Sequence, residues 1–455
     1  VTCITASGRN IAIGRGEREM VKRDVAAAKA VRDVLPVFLL LEFDFATMYS
    51  LLLATVFFLL STISASTTLI NLTPLLSHHT PWSHDPHCTT SKSLAHLGQT
   101  FCVYTSNTTG LYGLSLILPP TAALDATQHL NANPVSSFLT QAQARYLYLH
   151  PPPWRVVEIE GKDKGVVATR RIEKYETFMI DQAAVVVDKT FDEAVSRKVK
   201  EEMLNLAVDR LYTPGTILSM SRAHAGSSSN ETPEEAIMSA NAFGSHIGGV
   251  DTRALYPLIS RINHACNPNS FVMFSQSGTS MAIKSYRAIN EGEEITISYL
   301  LLGAPSAKRQ KILNEHWGFT CTCALCELPM LEKRASDVRR LLIAQAETKV
   351  LKLARKGEIE RAIALAEESV GMIQDEGTES MLTDEYAMLA MLYLEKGNRE
   401  MAEVWGRKAW GMLGDLGYLG VGEEQWVGKF SLEVLLEGIG GLGGDGRGKW
   451  RRGGS

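Results

Sequence analysis

The stretch RINHACNPNS, residues 261–270, decides how the rest of the chain is read. It sets His264 between Asn263 and the pair Ala265 and Cys266, and Pro268 restricts Asn267 to extended or turn backbone. Polar and turn-forming side chains at this density suit neither a helix nor a core strand. Taken alone the stretch reads as a surface turn, so its neighbours in the chain must say whether it is more.

Further along, FTCTCALC (residues 319–326) places Cys321, Cys323 and Cys326 in a C-x-C-x2-C pattern. Thiolates are soft ligands that suit zinc. Cys321 and Cys323 stand two apart, so a turning backbone rather than a regular strand must aim both at one ion. A closed structural zinc site takes four ligands, and the local sequence offers no further Cys. Cys266 is the remaining Cys of this half and the candidate fourth ligand. A set of buried free thiols is the alternative.

At 455 residues the chain is too long for one hydrophobic core, and roughly two to four domains are expected. A formal net charge of -4 gives no support to binding of nucleic acid by bulk electrostatics. Seven Cys in this length do not make a disulfide scaffold; Cys3, Cys88 and Cys102 are isolated near the start. Residues 45–65, FATMYSLLLATVFFLLSTISA, carry no charge and are long enough to cross a membrane as a helix. A signal anchor or signal peptide is one reading; a buried helix or a spurious extension is the other, and Glu42 and Asp44 weaken the positive flank. NLT at Asn71 and NTT at Asn107 match glycosylation acceptors. Cys88 and Cys102 would pair only in an oxidising compartment.

The chain divides by pattern. Residues 1–100 are an apolar and Ser/Thr/His-rich leader, and residues 101–150 are a small region preceding the central domain, with one or two strands in FCVYTSNTTGLYGLSLILPP. Residues 151–330 form the central domain. WRVVEIEGKDKGVVATRRI predicts two antiparallel strands around a Gly-bearing turn, TFMIDQAAVVV another strand, and FVMFS, SMAIKSYRAI and GEEITISYL three more. A helical insertion occupies about residues 190–246, where TPEEAIMSANAF supplies a cap and a helix. This is an irregular, mainly β fold of short strands, not a doubly wound sheet. From 335 to 437 long amphipathic segments predict two helical hairpins turning at Gly357 and Gly397. Leu351, Ala354, Ile359, Ile363 and Ala364 would form the apolar stripe of the first, and Met388, Met391 and Leu392 that of the second. Residues 438–455 are too rich in Gly to pack.

Four motifs in order, KGVVAT (164–169), NHACNPN (263–269), GEEITISY (292–299) and WGFTCTCALC (317–326), closely resemble those of the SET-domain protein lysine methyltransferases. The insertion and the helical C-terminal region look most like the SET-and-MYND branch and its fungal relatives. The resemblance covers about 154–327, with looser similarity through about 415. Two departures stand out: no MYND-like zinc cluster lies in the insertion, and Ala265 replaces the usual Ser before the motif's Cys.

The resemblance implies a SET fold with a zinc-binding post-SET segment at 317–327, followed by a TPR-like helical domain. It implies S-adenosyl-L-methionine as cofactor and one structural Zn2+ on Cys266, Cys321, Cys323 and Cys326. Tyr299 would be the catalytic tyrosine and Tyr256 a channel tyrosine. With a reference pKa near about 10, a tyrosine orients the amine better than it acts as a general base at neutral pH. Lys164, Gly165, Asn241, Asn263, His264, Tyr299 and Phe319 would hold the cofactor. Asn241 also reads as a helix-terminal residue and Phe319 as a core aromatic beside Trp317. Phe271 and Phe274 fall on opposite faces of a strand, so only one can line a given wall. The partner implied is a protein or histone peptide bearing the target lysine, with no sequence-specific nucleic acid binding and a monomer expected. Family relatives place the protein in cytoplasm or nucleus, whereas residues 45–65 point to a membrane or secretory route. A non-catalytic SET scaffold that binds peptides is the competing function.

Overall fold

The computed structural model describes residues 81–130, 133–223, 231–421 and 429–439. The apolar run 45–65, the sequon at Asn71 and nearly all of the Gly-rich tail lie outside them. Among the described residues no helix is long and apolar enough to cross a membrane.

The chain opens with β1 (His87–Thr90), β2 (Thr100–Ser106) and β3 (Leu114–Leu118), an antiparallel meander. Cys88 and Cys102 stand opposite each other on β1 and β2 and are disulfide-bonded. Helices α1 (Pro120–Thr127) and α2 (Gln141–Leu149) follow, the second started by a Thr140–Gln143 capping box. Then come the hairpin β4 (Trp154–Ile159) and β5 (Asp163–Ala168), and β6 (Thr177–Gln182) and β7 (Val185–Asp188). TFMIDQAAVVV, expected as one strand, is therefore two: the chain leaves one sheet after Gln182 and enters another at Val185.

The helical insertion comprises α3 (Phe191–Ala194), α4 (Arg197–Asp209), α5 (Pro214–Leu218) and α6 (Pro233–Asn241). Thr232 caps α6 by accepting from the Glu235 amide at 3.3 Å. Strands β8 (Phe243–Ile247), β9 (Val250–Leu255), β10 (Asn263–His264), β11 (Ser270–Phe274), β12 (Ser280–Ser285) and β13 (Glu294–Ile297) complete the β part. They make three sheets, ordered β1-β2-β3-β7-β9-β8, β10-β13-β5-β4 and β11-β12-β6.

The sheets run across the boundary expected near residue 151. β3 pairs in parallel with β7, so the segment before the boundary and the segment after it share one six-stranded sheet. Its central strands are buried on both faces, as their near-continuous apolar sequences require. One face, with Phe101, Val103, Ile117 and Val187, packs under Met203, Leu204 and Ile237 of the insertion. The other, with Leu114, Leu116 and Val186, packs against Ile283, Ile295 and Ile297 of the smaller sheets. Each such aliphatic side chain contributes about 1.5–3 kcal/mol.

Past the sheets stand α7 (Ser306–Trp317), α8 (Met330–Arg355), α9 (Ile359–Glu376), α10 (Leu382–Glu395), α11 (Arg399–Leu416) and α12 (Leu432–Ile439). α8 with α9 and α10 with α11 are the two expected hairpins, around a core of Val350, Ala354, Ile363, Leu389 and Leu392. One position departs from the expected first stripe: Ala364 is exposed and Ala362 is buried. Gly438 and Ile439, assigned to the unpacked tail, close α12.

Candidate functional site

Strand pairing brings the separate motifs together. β10 runs parallel to β13, with Asn263 opposite Thr296 and His264 opposite Ile297, and β13 pairs with β5. The Asn263 side chain reaches back to β5, its Nδ2 donating to the Lys164 carbonyl at 3.1 Å and to Glu294 Oε1 at 3.0 Å. Gly165 permits this approach: a Cβ there would sit 2.6 Å from Asn263 Nδ2 and collide with Ile159. Both amide hydrogens of Asn263 are thereby used, and its Oδ1 remains an acceptor in a half-buried position.

His264 is buried and joins the strand end to the cysteine cluster. The backbone N–H of Tyr299 donates to its Nδ1 at 3.0 Å, which places the proton of the neutral ring on Nε2, 3.3 Å from Cys266 Sγ. Burial pushes its pKa down to about 4, so the ring is neutral at pH 7. Tyr299 donates its hydroxyl hydrogen to the Ile262 carbonyl at 2.8 Å. Its half-buried ring lies 5.3 Å from the His264 ring and 5.2 Å from that of Trp317. The Tyr299 oxygen keeps acceptor capacity once its hydrogen is donated.

The four cysteines converge. Cys266 Sγ is 3.9 Å from Cys321 Sγ and 3.5 Å from Cys326 Sγ, and all four sulfurs lie within 4.8 Å of one another. A tetrahedral zinc with Zn–S near 2.3 Å needs sulfurs separated by about 3.8 Å, so the donor set fits that ion in type, number and spacing. Hydrogen bonding with Cys321 raises the Cys266 pKa, and hydrogen bonding with Cys266 lowers that of Cys323, so the sulfurs divide their protons unevenly. Gly318, at φ 72°, ends α7 and turns the chain into the cluster. Gln310 clamps the next segment, donating to the Cys321 carbonyl at 2.8 Å and accepting from the Cys321 amide at 2.8 Å. Gln310, Arg309 and Arg340 carry no pattern that would single them out in the sequence; each sits in an ordinary polar helical run.

The remaining expected residues stand as follows. The Phe319 ring is 6.4 Å from that of His264, half-buried among Tyr299, Trp317 and the cysteines. Asn241 ends α6, and its Nδ2 donates to the carbonyls of Ser221 at 2.7 Å and Ile237 at 2.8 Å, so its amide hydrogens serve the helix end. Tyr256 has no exposed surface, its hydroxyl donates to the Gly278 carbonyl, and its ring packs between Phe243 and Phe274. Phe271 stacks on Tyr286 instead, 4.5 Å between ring centres.

The SET domain family matches residues 163–300, from β5 to just past Tyr299, and this segment is a SET domain followed by a helical region. Among curated relatives, the histone-lysine N-methyltransferase set5 of Schizosaccharomyces pombe is 28% identical over 206 residues, 44% of this chain and 59% of that protein. The histone-lysine N-methyltransferase SMYD3 of Homo sapiens is 40% identical over 73 residues, covering 16% of this chain and 17% of that protein. The N-lysine methyltransferase SMYD2 of Gallus gallus is 32% identical over 114 residues, 24% of this chain and 25% of that protein. The chain thus spans less than two thirds of the length of each of these relatives.

Proposed function

We propose that this chain transfers methyl groups from S-adenosyl-L-methionine to the ε-amine of a lysine in a protein, histone or non-histone. The observation that carries the reading is the junction of Asn263, His264 and Tyr299, three residues of two separate motifs bonded into one unit. The cofactor supplies a methyl group on a sulfonium, open to attack by an amine. Asn263 would hold its ammonium end through the free Oδ1, beside Lys164 and Gly165, and Phe319 would cover its ring system.

The protein's own task is to present a neutral amine in line and keep water away. A free lysine has a pKa near about 10.4, and the half-buried rings of Tyr299, Trp317 and Phe319 disfavour its charged form. The Tyr299 oxygen, whose hydrogen is committed to Ile262, would accept an N–H of the amine and aim its lone pair. Cys266, Cys321, Cys323 and Cys326 would hold one structural zinc, which ties the turn carrying Asn263 to the segment carrying Phe319. The two helical hairpins, in this reading TPR-like, would wall one side of the peptide cleft.

The test is incubation of the full chain with a methyl-labelled cofactor and a cell extract, followed by mass spectrometry, beside Tyr299→Phe. Labelled lysine that depends on Tyr299 supports the reading. Folded, zinc-loaded protein that binds peptide but labels nothing would make it a non-catalytic scaffold.

A further inference from the structure

The three-stranded sheet β11-β12-β6 carries an open cleft of about 580 Å3 on its outer face. Alternation along the strands divides the side chains of this sheet. Val272 and Ile283 enter the main core with Ile297, whereas Met273 and Lys284 face the other way and floor the cleft. Leu139 and Leu147, from α2 and the segment before it, pack beside Met273 on one side. The end of α11 closes in from the other: a Cβ on Gly417 would stand 2.7 Å from Met273 Cε and 3.6 Å from Lys284 Nζ. None of Asn263, His264, Tyr299 and Phe319 lines the cleft, so it is separate from the site proposed for methyl transfer. The other cations of the cleft have counter-charges of their own. Arg170 donates to both carboxylate oxygens of Glu176 at 2.7 and 3.2 Å, and Arg171 donates Nε to Glu173 at 2.9 Å. Lys284 Nζ has no hydrogen bond or ion pair among the described residues. Asp415, which lines the same cleft, acts favourably on it without reaching ion-pair distance. Burial pushes the Lys284 pKa from 10.5 down to about 8, the mark of an ammonium short of negative charge.

We propose that this cleft binds a small organic acid, a carboxylate on an apolar stem, with Lys284 holding the carboxylate and Met273, Leu139 and Leu147 bedding the stem. The volume is that of a small-molecule site. A carboxylate at Nζ supplies the counter-charge that Lys284 lacks, and in a half-buried place such a charged hydrogen bond is stronger than at the open surface. The stem takes from water the apolar floor that the sheet presents to the cleft. An occupant touches the central sheet and the end of α11 together, so binding also favours their contact.

The experiment titrates the full chain by calorimetry with octanoate and with octanamide, an uncharged control of the same shape, at about pH 6.5, where Lys284 is charged. Octanoate is expected to bind more tightly than octanamide by roughly 10-fold. Lys284→Met keeps an apolar stem without the charge and is expected to lower octanoate binding to the level of octanamide. Lys284→Arg keeps a charged donor and is expected to stay within about 3-fold of wild type. If Lys284→Met does not fold, protection of the wild type decides: acetylation of Lys284 by acetic anhydride, read by peptide mass spectrometry, is expected to slow when octanoate saturates the protein. A wild-type chain that does not bind octanoate overturns the proposal, as do equal binding of octanoate and octanamide, undiminished binding by folded Lys284→Met, or acetylation of Lys284 that octanoate leaves unchanged. Binding of a Glu-bearing peptide amide without binding of octanoate would make a protein segment the occupant and overturn the assignment to a small acid.

Discussion

The backbone amide of Tyr299 donates to Nδ1 of His264 at 3.0 Å, across 35 residues of sequence. That bond fixes the ring tautomer and ties the end of β13 to the turn that carries Asn263 and Cys266. The Tyr299 hydroxyl returns to the Ile262 carbonyl at 2.8 Å, so one residue is bonded at both its amide and its side chain to the same short stretch.

Removing that hydroxyl tests its role. Tyr299→Phe leaves the ring in its contacts with His264 and Trp317 and is expected to change unfolding free energy by no more than about 1 kcal/mol. Lysine methylation is expected to fall by roughly 10- to 100-fold, or the number of methyls to change, because the amine is no longer aimed. Single-turnover kinetics with product mass spectrometry makes the measurement. An unchanged rate and product pattern would remove Tyr299 from the reaction.

Asn263→Ala deletes the bonds to Lys164 and Glu294 and the free Oδ1 together. Cofactor affinity, read by calorimetry, is expected to weaken by about 1–3 kcal/mol, roughly 5- to 150-fold. Gly165→Ala should reproduce much of that loss with Asn263 still present, since the added methyl displaces the Asn263 amide. Wild-type affinity in Gly165→Ala would show that the close approach of β5 is incidental.

Arg340 and Glu376 are each about 1% exposed in their side chains and form a buried ion pair at 2.7 Å. Ser336 and Arg339 also donate to Glu376, and Arg340 Nη2 stands 3.5 Å from the Cys266 carbonyl. Glu376→Gln strands the buried guanidinium and is expected to cost about 3–5 kcal/mol in urea unfolding. Arg340→Met combined with Glu376→Leu should recover part of the loss, because no lone charge remains. A double variant as unstable as the single one would mean that the pair's contacts, not its charges, matter.

Asp181 accepts from the amides of Leu258 and Ile259 at 2.7 and 3.1 Å and so holds the helical turn that leads into Asn263. Burial pushes its pKa from 3.8 up to about 6, although those amides work against the rise. The unfolded chain therefore ionises Asp181 first, and between about pH 4 and pH 6 stability falls as pH rises, by about 3 kcal/mol from this group. Asp181→Asn lacks that fall. Urea melts at about pH 4 and about pH 7 should show the variant gaining on wild type at the higher pH; a pH-independent difference would refute the assignment.

How much of this was legible beforehand varies from residue to residue. The short strands around KGVVAT and GEEITISY, the helical hairpins at Gly357 and Gly397 and the clustering of Cys321, Cys323 and Cys326 are local patterns, and each appears in the structure where the pattern puts it. Alternation, helical period and turn residues are set by the backbone geometry of a few neighbouring positions, so a single chain displays them. The pairing of β3 with β7 is of another kind, because it joins segments about 70 residues apart whose apolar runs would suit several partners. The edge-on packing of Phe243 and Phe274 around Tyr256 is likewise not visible in its local sequence, because the three rings come from separate strands and a loop. Arg309 and Arg340 sit in helices whose sequences look like solvated faces; their burial depends on which element folds over them. Charge burial is a property of three-dimensional neighbours, and the acceptors that make it tolerable, the Ala304 carbonyl for one and Glu376 for the other, are set beside them only by the fold.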